Sequence, residues 1–291
     1  MMRVDSHMHF WRFHGDDYPW MSDAMQVLKC DRLPGEARPL LDRQNIDQGV
    51  AVQARVSEQE TDFLLDLAAR NPWIGAVIGW VDLRNANLQQ SLDRWADKEK
   101  LAGFRHPLQG DPEAGALVSD SQFKRGVALL QSRSMIYELL ISADQLPAVT
   151  DFCRSSDDGW LVLDHLGKPD IRGGGFNAWR RDVSEVAAFP HVVCKLSGLV
   201  TEATDASGNF DAEGLRKYLD TALTLFGPQR LMFGSDWPVC LLAAPYAEVA
   251  DIVERWSAGL SATDREWIWG GTAAHVYGLM ASSMSRGSQH G

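Results

Sequence analysis

The sequence is poor in several features, and each shortage argues against a class of protein. Four cysteines among 291 residues show no C-x-x-C spacing, which argues against a disulfide framework or a thiolate zinc site and fits a reducing cytoplasm. No apolar run approaches the roughly 18 residues that span a bilayer, and the first residues lack the apolar core of a signal peptide. We therefore expect a soluble, cytoplasmic protein with no membrane partner.

Positive charge is also scarce, since 28 Lys and Arg residues face 39 Asp and Glu residues, for a formal net charge of −11. Nucleic acids and anionic membranes need a basic surface, so neither is expected as a partner. Neither the loop G-x-G-x-x-G after a strand nor the loop G-x-x-x-x-G-K-[ST] is present. Sugars and other neutral small molecules remain open as ligands, whereas an anionic substrate would need a local cluster of Arg and Lys. The sequence does not predict the oligomeric state.

What the sequence does contain is a regular alternation of short apolar runs with longer segments of helical period. Eight runs predict β-strands, at residues 3–10, 49–56, 74–83, 101–108, 135–141, 160–166, 192–199 and 230–237. Amphipathic segments predict helices at residues 40–45, 58–70, 88–100, 121–132, 144–154, 177–188, 212–226 and 246–258.

Strict strand–helix alternation implies a parallel sheet with right-handed crossovers. Eight repeats in under 300 residues favour closure into a barrel over an open sheet, because such barrels typically take about 250 residues. We therefore predict an α/β protein, a single-domain (β/α)₈ TIM barrel over residues 1–280, with a flexible tail at 281–291.

Polar side chains stand near the carboxyl end of every predicted strand, which is where such barrels build their active sites. In strand order they are His7 and His9, Gln53 and Arg55, Trp80 and Asp82, Arg105 and His106, Glu138, Asp164 and His165, Lys195 and Ser197, and Ser235 and Asp236. Random placement would scatter these groups over loops and helices. Their convergence predicts an enzyme.

His7 and His9 are two residues apart, so on an extended strand both imidazoles share a face. They would offer two adjacent ligands to a transition metal. Taken alone, the pair fits equally well a hydrogen-bonded core histidine beside a surface one. The metal interpretation depends on other polar groups converging on the pair.

Strand alternation limits which neighbouring residues can face the barrel interior together. We expect His165 to point inward and Asp164 toward the helices. Arg105 and His106 cannot both point inward unless the strand is irregular before Pro107.

Two charged residues lie within apolar strands. Glu138 needs a partner or a metal there, and a buried Lys195 is expected beside a carboxylate. We expect the two to form a buried ion pair that supports the site, with direct contact to the substrate as the alternative. Arg55 suits a substrate contact, although a surface pair with Glu58 or Glu60 is the alternative.

Three tryptophans flank the strand ends and suit an apolar wall or a surface on which a sugar ring stacks. They are Trp11, Trp20 and Trp237. For any one of them, ordinary core packing is the competing interpretation.

The H-x-H pair, His165 and the segment Gly234-Ser235-Asp236-Trp237-Pro238 together resemble the amidohydrolase superfamily. Residues 270–279 look like the helix that ends members of its amidohydrolase 2 branch. The segments D-H-L-G-K-P at 164–169 and K-L-S-G at 195–198 are similar to those of a subgroup of sugar and dicarboxylate lactonases. The likeness is greatest to L-fuconolactonase-type and L-rhamnonolactonase-type enzymes and covers residues 3–279.

This resemblance implies a mononuclear centre at His7, His9 and Asp236, with His165 close by. The implied cofactor is one divalent metal ion, above all zinc, which the activity does not always require because some lactonases of the branch work without metal. Glu138 and Lys195 stand where binuclear members carry a carboxylated lysine and a further histidine, so a second metal is not expected.

The resemblance further implies a hydrolase of carbohydrate catabolism that opens a neutral sugar-acid lactone. Asp236 would act as general base and then general acid. The full set of implied or candidate site residues is, for catalysis, Asp236, His165 and His106, and for substrate binding, Arg55, Arg105, Trp11, Trp80, Lys195, Glu138 and Trp237. The alternative is a metal-dependent decarboxylase of an unsaturated acid, in which Arg55 and Arg105 would hold a carboxylate.

Overall fold

Eight parallel strands follow one another around a single sheet in the order of the sequence. The structure is a computed structural model that describes residues 2–205, 208 and 210–280. The strands are β1 Val4–Met8, β2 Gln48–Val52, β3 Ile74–Gly79, β4 Leu101–Pro107, β5 Ile136–Leu140, β6 Leu161–Leu163, β7 Val192–Leu196 and β8 Leu231–Phe233. The predicted (β/α)₈ barrel is confirmed, and the predicted tail 281–291 lies outside the described residues.

Helices surround the strands. They are α1 Pro34–Arg43, α2 Glu58–Arg70, α3 Leu88–Asp93, α4 Ala114–Ser119, α5 Ser121–Ser132, α6 Leu146–Ser155, α7 Phe176–Ala187, α8 Leu199–Ala203, α9 Ala212–Phe226, α10 Tyr246–Ser257, α11 Ala262–Glu266 and α12 Thr272–Tyr277. Across the ranges that the structure describes, none of the helices has the length and apolar character needed to cross a membrane.

Helix boundaries agree with the sequence where a side chain caps the first turn. Ser57, Asp120 and Asp211 each accept a hydrogen bond from a backbone N–H of the helix that follows, and α2, α5 and α9 have their predicted bounds.

Two helix predictions are wrong in extent. The helix predicted at 88–100 ends at Asp93, since Trp95 turns into the core and donates its indole N–H to Asp62. The helix predicted at 40–45 instead runs from Pro34 to Arg43, because proline is well suited to a first helical position, where no N–H is needed.

The sheet closes between β8 and β1 through hydrogen bonds at and just beyond the strand ends. The His9 N–H donates to the Trp237 carbonyl at 2.7 Å, and the Asp236 N–H donates to the His7 carbonyl at 2.9 Å. The buried Asp5 carboxylate accepts the backbone N–H groups of Ser235 and His7. The seam of the barrel is therefore built from the same short segments that carry the predicted metal ligands.

The barrel interior is layered. At the amino-terminal end lies an apolar layer that includes Ile136 and Val193 and is covered by Tyr277 of α12. Two residues further along the same strands, on the same face, come Glu138 and Lys195, both fully buried. A charged layer thus separates the apolar floor from the open end of the barrel.

Two glycines in neighbouring helices give a matched test of this packing. A Cβ at Gly126 of α5 would lie 2.2 Å from the Leu83 carbonyl oxygen, whereas a Cβ at Gly115 of α4 would meet only the Ala148 methyl at 3.6 Å. We expect Gly126→Ala to lower the free energy of unfolding by about 1–3 kcal/mol. Gly115→Ala should raise it by about 0.5–1 kcal/mol. Urea denaturation measures both changes, and stabilisation by both substitutions would contradict the close approach in α5.

Candidate active site

A cavity of about 940 Å³ opens at the carboxyl ends of the strands. This volume lies within the range that holds a small organic molecule. Its polar and charged lining includes His9, Asp16, Asp17, Gln53, Arg55, Arg105, His165, Lys168, Glu202 and Asp236. The predicted strand-end site is therefore a cavity at the mouth of the barrel.

His7 reaches the site because the alternation of inward-facing and outward-facing residues in β1 is interrupted. Val4 belongs to the inner apolar layer and Met8 to the outer core, although residues four apart on a regular strand share a face. The pairing of β1 with β2 shifts register between Asp5 and Met8. This irregularity turns His7 inward, where its ring lies 4.5 Å from the ring of His165.

Three acceptor atoms converge at the seam of the barrel. His7 Nε2 lies 3.2 Å from His9 Nε2, and Asp236 Oδ1 lies 3.3 Å from His9 Nε2 and 3.7 Å from His7 Nε2. His9 Nδ1 is 2.8 Å from the Val52 carbonyl, which can only accept a hydrogen bond. With its Nδ1 proton on this carbonyl, the His9 ring directs Nε2 toward the other two atoms.

Asp236 stands just beyond β8 with a left-handed backbone, φ 59°. Aspartate adopts this region more readily than most residues. Burial raises the pKa of its carboxyl group, but His165, His9 and His7 together bring that pKa well below the usual range. Burial also lowers the pKa of His165, to about 4. At neutral pH the site thus holds a carboxylate beside a neutral imidazole.

The segment after β6 brings both Asp164 and His165 to the site. The expectation that Asp164 would face the helices is wrong, because Asp164 lies two residues after Val162, whose side chain belongs to the inner apolar layer, and so shares its inward face. A tight turn with left-handed His165 and Leu166, each at φ 55°, follows. His165 then lines the cavity with its Nδ1 2.8 Å from the Ser197 hydroxyl.

Asp164 lies beneath the cavity among cationic groups. Its Oδ2 accepts from Arg105 at 2.9 Å, and its Oδ1 lies 3.2 Å from Lys195 Nζ and 3.3 Å from His7 Nδ1. Burial raises the pKa of Asp164, while Lys195, His7 and Arg105 bring it well below its usual range. His7 Nδ1 also lies 3.1 Å from Lys195 Nζ, so this layer holds the ring with its Nε2 toward His9, where Arg105 Nη1 approaches Nε2 at 3.3 Å.

Lys195 and Glu138 form an ion pair under the site and do not line the cavity. Lys195 Nζ donates to both carboxylate oxygens of Glu138 at 2.7 Å, and the Tyr277 hydroxyl donates to Glu138 Oε1 at 2.6 Å. Burial raises the pKa of Glu138 to about 7, against the effect of Lys195. Of the two roles expected for Lys195 and Glu138, the structure shows the buried ion pair, whereas neither side chain is exposed for the alternative role of contacting substrate.

Of Arg105 and His106, the structure directs only Arg105 to the cavity. Arg105 also donates to the Gln53 carbonyl at 2.6 Å, while His106 points to the helix layer and accepts from the Trp80 indole at 3.3 Å. Because β4 stays regular to Pro107, His106 and Trp80 are not among the lining residues. The geometry therefore offers neither of them a contact with a ligand in the cavity.

Two of the three tryptophans that were predicted to form an apolar wall of the cavity lie in the core instead. Trp11 is fully buried and packs against Tyr18, and Trp237 packs against Phe10. Trp20 is the one of the three that lines the cavity, with 40% of its surface exposed and its indole N–H bonded to the Ala54 carbonyl.

Ion pairs at the cavity wall include residues to which sequence analysis gave no role. Arg55 pairs with Asp17 at 2.7 Å and lies 3.6 Å from the buried Glu60. Lys168 pairs with Glu202 at 3.0 Å. Lys168 belongs to the D-H-L-G-K-P segment, so its motif was a signal, whereas the pattern around Asp17 and Glu202 offered none.

His7, His9 and Asp236 fit a single divalent metal ion. Three lone-pair donors within 3.7 Å of one another repel unless a cation or a proton lies between them. Two imidazoles and one carboxylate, with a fourth position left for water, form a common catalytic zinc site. His7, Asp164 and His165 form a second acceptor group, but Arg105 and Lys195 already neutralise its carboxylate.

Comparison with known sequences agrees with this geometry. The chain matches the amidohydrolase family over residues 4–279. It belongs to the amidohydrolase family. A family member from Burkholderia multivorans named L-fucono-1,5-lactonase is 50% identical over 286 residues, with 96% of each chain covered. Another L-fucono-1,5-lactonase, from Burkholderia ambifaria, is 32% identical over 292 residues, with 99% of this chain and 98% of the relative covered.

A solved structure of an amidohydrolase from Burkholderia multivorans, with bound zinc, has the same fold. It is 50% identical and superposes with a TM-score of 0.92, covering 96% of this chain and 100% of that one. The resemblance inferred from the sequence motifs is confirmed. As a member of this amidohydrolase family, the protein is an enzyme.

Replacing Lys195 tests the buried charged layer. Lys195→Met leaves Glu138 and Asp164 without their shared ammonium group, and we expect a loss of about 3–5 kcal/mol in the free energy of unfolding. Lys100→Met is the control, since Lys100 donates to two backbone carbonyls. Its loss should be less than half as large. Urea denaturation at pH 7 compares them, and equal losses would contradict the role of the carboxylates.

Proposed function

We propose that the protein hydrolyses a neutral sugar-acid lactone, with L-fucono-1,5-lactone as the first candidate. The observation that carries the proposal is the Asp236 carboxylate on a cavity wall, ionised at neutral pH and beside the neutral His165. The relatives named L-fucono-1,5-lactonase support the choice of substrate. The reaction belongs in carbohydrate catabolism, and the free thiols support a cytoplasmic setting.

Lactone hydrolysis needs a water that loses a proton, a polarised carbonyl and a proton for the departing ring oxygen. Asp236 takes the proton from water as the new C–O bond forms, and returns it to the ring oxygen as the ring C–O bond breaks. Arg105 and His165 line the same cavity and serve as fixed donors to the carbonyl oxygen or to substrate hydroxyls. Asp164, Lys195 and Glu138 hold this layer in place without touching the substrate.

Zinc is the metal that we propose for His7, His9 and Asp236. A zinc ion there would lower the pKa of a bound water toward ~7. Val52 fixes the orientation of the His9 ring and Asp164 that of the His7 ring, so both present Nε2 to the site.

The decarboxylase alternative receives no support from the arginines. That reaction would use Arg55 and Arg105 to hold a substrate carboxylate. Arg55 is already paired with Asp17, and Arg105 with Asp164. A neutral substrate suits the cavity better than an anionic one.

Asp236→Asn tests the proposed general base. We expect the turnover of L-fucono-1,5-lactone to fall at least ~100-fold, the usual contribution of a general base. A pH indicator follows acid release across a panel of aldonolactones, and a parallel assay for carbon dioxide detects decarboxylation. Asp97→Asn, on the exposed surface, is the control and should keep the wild-type rate. A wild-type enzyme that releases carbon dioxide and opens no lactone would overturn the proposal.

Zinc binding is tested by thermal unfolding after dialysis against a chelator. Added zinc should raise the Tm of the wild-type protein, because a ligand at 100 times its Kd stabilises the native state by about 2.7 kcal/mol. His9→Gln should lose most of this shift. His191→Gln should retain it, since His191 bonds to the Cys153 carbonyl outside the site. A shift of equal size in both variants would place the zinc elsewhere.

A further inference from the structure

Each Lys or Arg side chain that lines the cavity, among the described residues, forms an ion pair with a carboxylate. Among the described residues that line the cavity, the Lys and Arg side chains are Arg55, Lys168 and Arg105. Arg55 Nη1 lies 2.7 Å from Asp17 Oδ2, in the segment that follows β1 over the cavity. Its Nε faces Glu60 Oε2 at 3.6 Å. The guanidinium is therefore bonded to one carboxylate through Nη1 and has a second carboxylate nearby, to which Nε makes no hydrogen bond.

The other two cations are paired in the same way. Lys168, after β6, lies 3.0 Å from Glu202 of α8, and Arg105 donates to the buried Asp164 at 2.9 Å. Because β2 and β6 are four strands apart in an eight-stranded ring, Arg55 and Lys168 stand on opposite walls. Both walls thus carry a cation that a neighbouring acid neutralises.

Among the side chains of Asp, Glu, Lys and Arg that line the cavity, the acids outnumber the bases. Four carboxylates, those of Asp16, Asp17, Glu202 and Asp236, face three basic side chains. A ligand carboxylate entering this cavity would compete with a protein carboxylate for every Lys or Arg that it meets. A neutral polyhydroxylated ring has no such competition, because hydroxyls can donate to the acids and accept from the bases.

This charge arrangement matters for a lactonase because hydrolysis changes the charge of the ligand. Water adds to the carbonyl carbon, the ring C–O bond breaks, and the ring oxygen leaves as a hydroxyl. The new carboxylic acid then loses a proton to solvent. A neutral substrate therefore becomes an anionic product in the same cavity.

We propose that Asp17 and Glu202 determine the specificity of the cavity for a neutral lactone and promote release of the anionic product, by occupying Arg55 and Lys168. The inference rests on the proposed lactonase function and goes beyond it, since it assigns the selection against anions to two residues away from the reacting atoms. Freeing either cation should create a carboxylate-binding site in the wall.

Asp17→Asn frees the Nη1 edge of Arg55 while keeping the size of the side chain. Isothermal titration calorimetry with L-fuconate at pH 7 and low ionic strength measures the change. We expect binding about tenfold tighter than in the wild-type protein, the scale of one charge-assisted hydrogen bond. The inhibition constant of L-fuconate against lactone hydrolysis should fall by the same factor.

Asp93→Asn is the matched control. Asp93 pairs with Arg133 at 2.7 Å on the outer helices, with exposures similar to those of Asp17 and Arg55. The control removes the same charge and frees an arginine outside the cavity, so L-fuconate binding should change less than twofold. Adding Arg55→Gln to Asp17→Asn should return the affinity to the wild-type level.

Glu202→Gln repeats the test on the opposite wall by freeing Lys168. It also replaces Asp17→Asn as the test if that variant does not fold. Tighter L-fuconate binding in either variant, with no change in the control, supports the proposal. Unchanged binding in both folded variants, or equal tightening in Asp93→Asn, overturns it. A wild-type protein that opens no lactone while the variants gain affinity would instead remove the proposed function and leave the charge selection standing.

Discussion

The Lys195 ammonium, shared between Glu138 and Asp164, is the interaction on which the site depends. These three groups carry one positive and two negative charges without solvent, and Arg105, paired with Asp164, supplies the second positive charge, so each group fixes the position of the others. Asp164 in turn faces His7 Nδ1 and directs Nε2 of that ring toward the cavity. The orientation of a proposed metal ligand is therefore set from below by a layer that no substrate reaches.

The second constraint is the closure of the barrel. The backbone groups that join β8 to β1 belong to His7, His9, Asp236 and Trp237, which include all three proposed metal ligands. A change that opens this seam would separate the ligands as well. The site and the last step of barrel assembly thus share the same hydrogen bonds, which ties the geometry of the centre to the stability of the fold.

The fold could be predicted because its signals are local: apolar runs, helical period and capping residues such as Ser57 and Asp211. The gathering of His7, His9, His165 and Asp236 followed from their strand-end positions. The finer placements did not follow, since they depend on departures from strand alternation. The register shift in β1 and the left-handed turn after β6 arise from tertiary contacts that a periodic pattern does not contain. The predicted substrate-facing wall of Trp11 and Trp237 is wrong for a similar reason. Whether each ring is buried depends on residues distant in the sequence, such as Tyr18 and Phe10.

Two buried aspartates near His7 illustrate how environment divides roles between identical side chains. Asp164 is held by Arg105 and Lys195, so accepting a proton would leave two cations without their shared partner. Asp236 faces histidine nitrogens and the cavity, and no Lys or Arg is paired with it among the described residues. Protonation of Asp236 therefore disturbs fewer ion pairs, and the proton it gains can be passed on to a ligand. Of the two, only Asp236 also lines the cavity, which suits it to the proposed role of base and suits Asp164 to that of support.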